Sequence, residues 1–308
     1  MIGHAEHAGD MQHTRAIQRS RAGRWFRSEK SLPLLLLLPS ILMIAGVIAW
    51  PMIIGFEDGF MNGTLLRPGT FVGLDNYVHL AASDDFHNAL WFSVVFAVFN
   101  IIGCYSLGLA LALLTNQHLP GRGFFRIALL LPWIVPSIVS IVSWRWMIAD
   151  ERALINQVIV GLGGQPVYFL SDSHWAQATV IVIKVWRSFP FMMLSLLAAL
   201  QGIDRSMYEA AEIDGATARQ AFFHITLPQI RNISIVLCLL MTIWTVNDFD
   251  TPWLLTQGGP ANATENLVLL AYRYTFGRNN VGLGSATSFV TLALLMVIVV
   301  ILLRRKES

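Results

Sequence analysis

Residues Glu209 to Pro228 read EAAEIDGATARQAFFHITLP, a polar, helix-breaking interval in a half of the chain that is otherwise apolar. Ser206 and Glu209 have the spacing of a capping box, and Asp214-Gly215 supplies a stop, because glycine accepts the left-handed conformation that closes a helix. Thr217 and Gln220 repeat the capping-box spacing, and Phe222 and Phe223 offer an apolar face. Pro228 suits a first helical turn, where its missing N–H breaks no bond. The stretch predicts two short helices folded at Gly215, between two long apolar segments.

Outward from that interval, the composition excludes a soluble protein. Of 308 residues, 55% are apolar and 13% charged, with a mean hydropathy of +0.58, whereas about a quarter of a soluble chain is charged. The reading is an all-α, polytopic integral membrane protein. Six stretches reach the roughly 20 residues that cross a hydrocarbon core: about 32–55, 89–114, 124–148, 176–201, 229–248 and 281–303. Cys104 and Cys238 fall inside apolar runs and read as small buried hydrophobes.

Residues 1–31 form a basic tail, with Arg15, Arg19, Arg21, Arg24, Arg27 and Lys30 abutting the first apolar run. His4, His7 and His13 lie there without Cys or HExxH spacing, and read as a solvated tail with no metal site. With the N-terminus inside, fourteen Lys and Arg fall on the cytoplasmic side and five outside, with Lys184 and Arg187 within the fourth span. Both termini are therefore expected to be cytoplasmic. The exterior stretches Ala153–Gly163 and Leu267–Phe276 are apolar but too short to cross, and read as helices lying on the membrane surface. Residues 56–88, with five glycines or prolines, read as turns.

Pro132 and Pro136 in the third span and Pro190 in the fourth are expected to kink their helices. Lys184, Trp186 and Arg187 in the fourth span, and Trp244, Asn247 and Asp248 at the end of the fifth, bring charge and aromatic edges into the outer half. Two readings stay open. The group lines a path for a hydrophilic solute, with indole faces against sugar rings, or it anchors the helices, with Arg187 and Asp248 tied as a structural pair.

Glu209-Ala210-Ala211, three residues, Gly215, nine residues, Ile225, one residue and Leu227-Pro228 resembles the EAA signature of binding-protein-dependent ABC importer permeases. Other stretches resemble the carbohydrate-uptake, maltose-type branch: FVGLDNY at 71–77, GRGFFR at 121–126, LLPWIVP at 130–136, VWRSFPFMML at 185–194, NDFDTPWLLTQGGPANATE at 247–265 and GLGSATS at 282–288. The resemblance implies a type I importer permease fold over residues 32–308, in the cytoplasmic membrane of a bacterium or archaeon. Within it, 203–228 would be a cytoplasmic loop whose Glu209, Ala210, Ala211, Asp214 and Gly215 dock into a separate ATPase; Glu209 would contact that subunit, cap its own helix, or do both.

The same resemblance implies a second, similar permease subunit, two ATPase copies and an extracytoplasmic solute-binding protein as partners. ATP and magnesium would be bound by the ATPase, with no cofactor on this chain. The residues agree that the engine lies elsewhere, since no GxxxxGK[ST] phosphate loop occurs. An ion-coupled secondary carrier would need an intramembrane carboxylate relay, for which Asp248 is the obvious acid. An intramembrane enzyme is opposed by the absence of GxSxG and HExxH.

Overall fold

Long apolar runs can satisfy their backbone polar groups in lipid only as helices, and the chain complies. The computed structural model describes residues 31–117 and 120–307. Among them no strand forms, only the isolated bridges Met61–Phe71 and Thr64–Arg67. The basic tail 1–30, with its three histidines, lies outside the described residues. Two compact units divide the chain after Glu57. The first holds α1 (Ser31–Ile44), a π turn (Ala45–Ala49) and α2 (Trp50–Asp58), which runs into the unit boundary.

The second unit begins with a turn that Asn76 fastens, donating to Gly59 O and Met61 O. It leads to α3 (Asp75–Ala82), so 56–88 holds one short helix beside the turns expected there. Ser83 caps the 33-residue α4 (Asp84–Asn116), whose first turn carries Asp84 and Asp85 as its N-terminal dipole favours. Then follow α5 (Arg122–Ile134), α6 (Ser137–Ile148), α7 (Leu154–Gly161) and α8 (Ser173–Gln201). Beyond them lie α9 (Arg205–Ile213), α10 (Ala218–Ala221), α11 (Leu227–Val246), α12 (Asp250–Thr256), α13 (Leu267–Tyr272) and α14 (Val281–Glu307).

Among the described residues, five helices are long and apolar enough to cross a membrane: Leu36–Asp58, Asp84–Asn116, Ser173–Gln201, Ala218–Val246 and Val281–Ile301. The sixth expected span is a pair, α5 and α6, bent by 90°. Val135 takes an extended conformation ahead of Pro136, as steric conflict with a proline ring demands. Pro136 thus breaks the helix, while Pro132 and Pro190 stay inside α5 and α8.

The core lies between α4 and α8, where a Cβ on Gly103 would come within 2.7 Å of Val185 and one on Gly108 within 2.8 Å of Met192. Small residues let helix backbones approach in the absence of a hydrophobic drive between spans. Around this contact, Cys104, Leu109, Met192, Leu196, Leu237 and Met241 form one buried cluster. Polar ties cross it: Asn100 donates to Thr245 at 2.7 Å, and Tyr105 and Ser234 share a hydrogen bond of 3.0 Å.

One expectation fails here. The stretch 267–276 does not lie on a membrane surface: Leu267, Leu269, Leu270 and Tyr274 are at most 2% exposed. Three of them pack with Leu80, Phe86, Ala89 and Ala286. An apolar run of six to ten residues satisfies either reading locally, and the neighbours from α3, α4 and α14 decide. Residues 154–161 do form the short helix expected there, α7.

Candidate functional site

Two groups of residues stand out from this bundle. The first is α9 with the turn after it. Asp204 is its N-cap, accepting from the amide of Ser206 at 2.9 Å, and that bond holds the exposed Asp204 carboxyl below its ordinary range. The expected Ser206–Glu209 capping box is therefore not made. A carboxylate two residues earlier is the stronger acceptor, and Glu209 instead pairs with Arg205 at 3.2 Å, on the surface. The stop falls where expected: Asp214 ends the helix and Gly215 follows at φ +75°.

After it, Thr217 and Gln220 make the reciprocal capping box. The second short helix, however, is continuous with the next span, through a π segment at Phe222–Thr226. Pro228 occupies the first turn of α11. Because Pro228 offers no N–H to the turn before it, a widened turn there carries the helix onward without a break. The membrane helix thus starts at Ala218, ten residues ahead of Pro228.

Seven of the nine residues of α9 are exposed, Glu209 and Ala210 among them; Tyr208 and Ala211 are half-buried, and Asp214 and Gly215 are exposed. A helix with this much free surface outside a greasy bundle is available for a partner. Ile213, 87% exposed, adds an apolar contact point.

The second group joins α8 to the end of α11. Lys184 Nζ lies 2.9 Å from Asp248 Oδ2, with side chains only 11% and 7% exposed. Thr251 donates to the same carboxylate oxygen at 2.6 Å, Arg187 donates to Thr251 at 3.1 Å, and Asn266 donates to the Asp248 carbonyl at 2.7 Å. The Arg187–Asp248 tie of the anchoring reading is not made; Lys184 pairs with Asp248 and Arg187 attaches through the Thr251 hydroxyl. Lysine's single ammonium fits one buried carboxylate oxygen, leaving the guanidinium half-buried beside it.

Trp186 is half-buried edge-on to Trp144 at 5.4 Å. Trp244, 44% exposed, lies 4.9 Å from Phe191, which in turn approaches Trp133 at 6.0 Å. Asn247 is exposed, donates to Ile243 O and lines a mostly apolar cavity of about 480 Å³ with Tyr272, Thr275, Ser288, Leu292 and Met296. Lys184 and Asp248 therefore brace the helices, whereas Trp244 and Asn247 present free surface. Phe191, Trp133 and Trp144 had escaped the sequence reading. Phe191 stands one helical turn after Arg187, a spacing that could have signalled it.

A third cluster, between α12 and the start of α14, was not foreseen. Glu265, 1% exposed, faces Arg273 at 3.0 Å, yet neither carboxylate oxygen has an aligned hydrogen bond. Arg273 donates instead to Asn262 at 2.6 Å, and Arg278 pairs with Asp85 at 2.7 Å. Burial outweighs Arg273 and pushes the Glu265 carboxyl up to about 7. Among the described residues no group of His, Cys, Asp and Glu is placed to hold a metal.

Residues 104–305 match the family described as binding-protein-dependent transport system inner membrane component. The chain is 31% identical over 294 residues to the sulfoquinovosyl glycerol transport system permease protein of Agrobacterium fabrum, covering 94% of this chain and 96% of that protein. It is 35% identical over 277 residues to the trehalose/maltose transport system permease protein of Thermococcus litoralis, with 90% and 94% covered. In fold it matches a chain of a bacterial ABC transporter involved in the import of the acidic polysaccharide alginate, with TM-score 0.80, 22% identity, and 90% and 95% covered.

Proposed function

Since this chain belongs to the family of binding-protein-dependent transport system inner membrane components, we propose that it is the membrane subunit of an ATP-driven importer for a sugar or related polar solute. Residues 32–308 would be the permease domain and residues 1–31 a cytoplasmic tail, with both termini inside the cell. The loop 203–228 would face the ATPase subunits, which bind ATP and magnesium. A second permease subunit and an extracytoplasmic binding protein, such as the periplasmic protein in one alginate transporter complex, would complete the assembly.

The observation that carries the reading is the exposure of α9. Glu209, Ala210, Asp214 and Gly215 are exposed, on the segment between the apolar helices α8 and α11. Of the helices on either side, α8 carries Lys184 and Trp186, and α11 carries Trp244, with Asp248 just past its end. Displacement of the docked segment can thus bias inward and outward arrangements of the spans that line the path, which is alternating access driven from outside this chain. Trp186, Trp244 and Asn247, with Phe191 and Trp133, supply aromatic faces and a directional amide suited to a sugar. Lys184, Asp248 and Arg187 hold the helices that carry them.

Asp248 also bears on the rival reading. A proton or sodium relay needs an acid free to change partners, and this one is held by Lys184 and Thr251. The deciding experiment is uptake in proteoliposomes containing both permease subunits, the ATPase and the binding protein. Transport is expected only with internal or external ATP reaching the ATPase; uptake driven by an ion gradient in vesicles lacking the ATPase would overturn the proposal.

A further inference from the structure

The two residues of α9 that are not exposed, Tyr208 and Ala211, are three apart and share one face of the helix. Tyr208 uses that position to reach across the hairpin: its hydroxyl and that of Thr226 share a hydrogen bond of 2.9 Å. Thr226 is 5% exposed and is the last residue of the π segment. The other side-chain link between the two arms is an amide–thioether contact from Gln229 to Met207 at 3.5 Å, on the surface.

Mechanically, α9 is joined to the following membrane helix by a covalent turn, by this bond and by the weaker surface contact of Gln229 with Met207. The turn, Asp214 to Thr217, pivots on Gly215, where no neighbouring atom lies within 4 Å of a would-be Cβ. A helix held by one such pivot swings when pushed and delivers little displacement to the next element. A second attachment, about two helical turns back from the pivot, removes that freedom. Its far end is Thr226, where the widened π turn meets α11, so the load enters the long helix at the irregular point of its cytoplasmic end.

We propose that Tyr208 is a positioning residue for energy coupling: through Thr226 it makes α9 and the helix starting at Ala218 move as one body. The inference rests on the reading of α9 as the ATPase-docking segment. It concerns transmission inside this chain, and is separate from the docking contact made by Glu209, Ala210 and Gly215. Tyr208 is turned toward the bundle and leaves those residues free.

The test uses the assembled complex of this chain with its partner permease and ATPase, with ATP and vanadate as the probe. In a background with Cys104→Ala and Cys238→Ala, spin labels at Glu212→Cys on α9 and Arg231→Cys on α11 report the distance between the two arms. With Tyr208 and Thr226 intact, the distance distribution is expected to be narrow and unmoved by ATP–vanadate. Tyr208→Phe and Thr226→Val, each removing one hydroxyl, are expected to broaden it and let it shift with nucleotide. Thr226→Ser should restore the narrow distribution, and the double variant should be no broader than either single one.

Distributions in Tyr208→Phe and Thr226→Val that superimpose on the parent overturn the proposal. So does loss of ATPase from the Tyr208→Phe complex, which would make Tyr208 a docking residue. Failure of the parent chain itself to retain an ATPase subunit would instead remove the underlying coupling reading, before any variant is compared.

Discussion

Lys184 Nζ on α8 sits 2.9 Å from Asp248 Oδ2 just beyond the end of α11, and both side chains are nearly closed to solvent. Sixty-three residues, including all of α9, lie between the two. Breaking such a pair strands the other charge. Lys184→Met or Asp248→Asn is therefore expected to lower stability by about 3–5 kcal/mol, while combining them recovers much of the loss. Thermal unfolding of the purified chain in detergent checks this; a Lys184→Met protein as stable as its parent would remove the tie from the account.

Gly215 lies at φ +75° with open space where a side chain would project. Backbone conformation, not crowding, is thus what a substitution meets there, at about 1–2 kcal/mol for an ordinary L residue. Gly215→Val is expected to reduce co-purification of the ATPase subunit, and Gly215→Asn to retain it, since asparagine tolerates the left-handed region. Equal recovery of ATPase from both would show that the shape of this turn is immaterial to docking.

Trp244 and Asn247 present free surface, in contrast to the buried Lys184 and Asp248. Trp244→Ala and Phe191→Ala should each weaken apparent solute affinity about three- to tenfold, the range of one aromatic contact. Asn247→Ala should act in the same direction. Assembly and basal ATPase activity are expected to stay near the parent level; loss of assembly would instead make these side chains anchors.

Glu265 provides a pH dependence outside the spans. Its carboxyl is pushed up to about 7 from an ordinary 4.5, chiefly by burial. Because the folded chain holds the proton more tightly than the unfolded one, this group's stabilisation is complete below the lower value and is lost as pH rises through the upper. The loss is at most about 3 kcal/mol. The melting temperature of the parent should fall between pH 5 and pH 8 by more than that of Glu265→Gln. Parallel pH profiles would place the carboxyl in a more polar setting.

Legibility followed range along the chain. The stop at Asp214-Gly215 and the Thr217–Gln220 box appeared as expected, since each depends on residues a few positions apart. The Ser206–Glu209 box did not, because Asp204, two residues before Ser206, takes the Ser206 amide that Glu209 would have accepted. Of the aromatic group, Trp186 and Trp244 were legible as outliers in apolar runs. Phe191, Trp133 and Trp144 were not, because a phenylalanine or tryptophan in a span looks like core until its neighbours are known.

The sequence by itself determined that the chain is helical and crosses a membrane, where most of its spans lie, and where the polar segment with the coupling signature interrupts them. Apolar length and turn chemistry are local, so no distant residue could overrule them. Only the tertiary structure decided that Asp248 belongs to Lys184, with Arg187 one hydroxyl away, that 267–276 is core, and that Tyr208 reaches Thr226 across the hairpin. Each of these depends on residues from separate segments of the chain, and packing sets which of them come into contact.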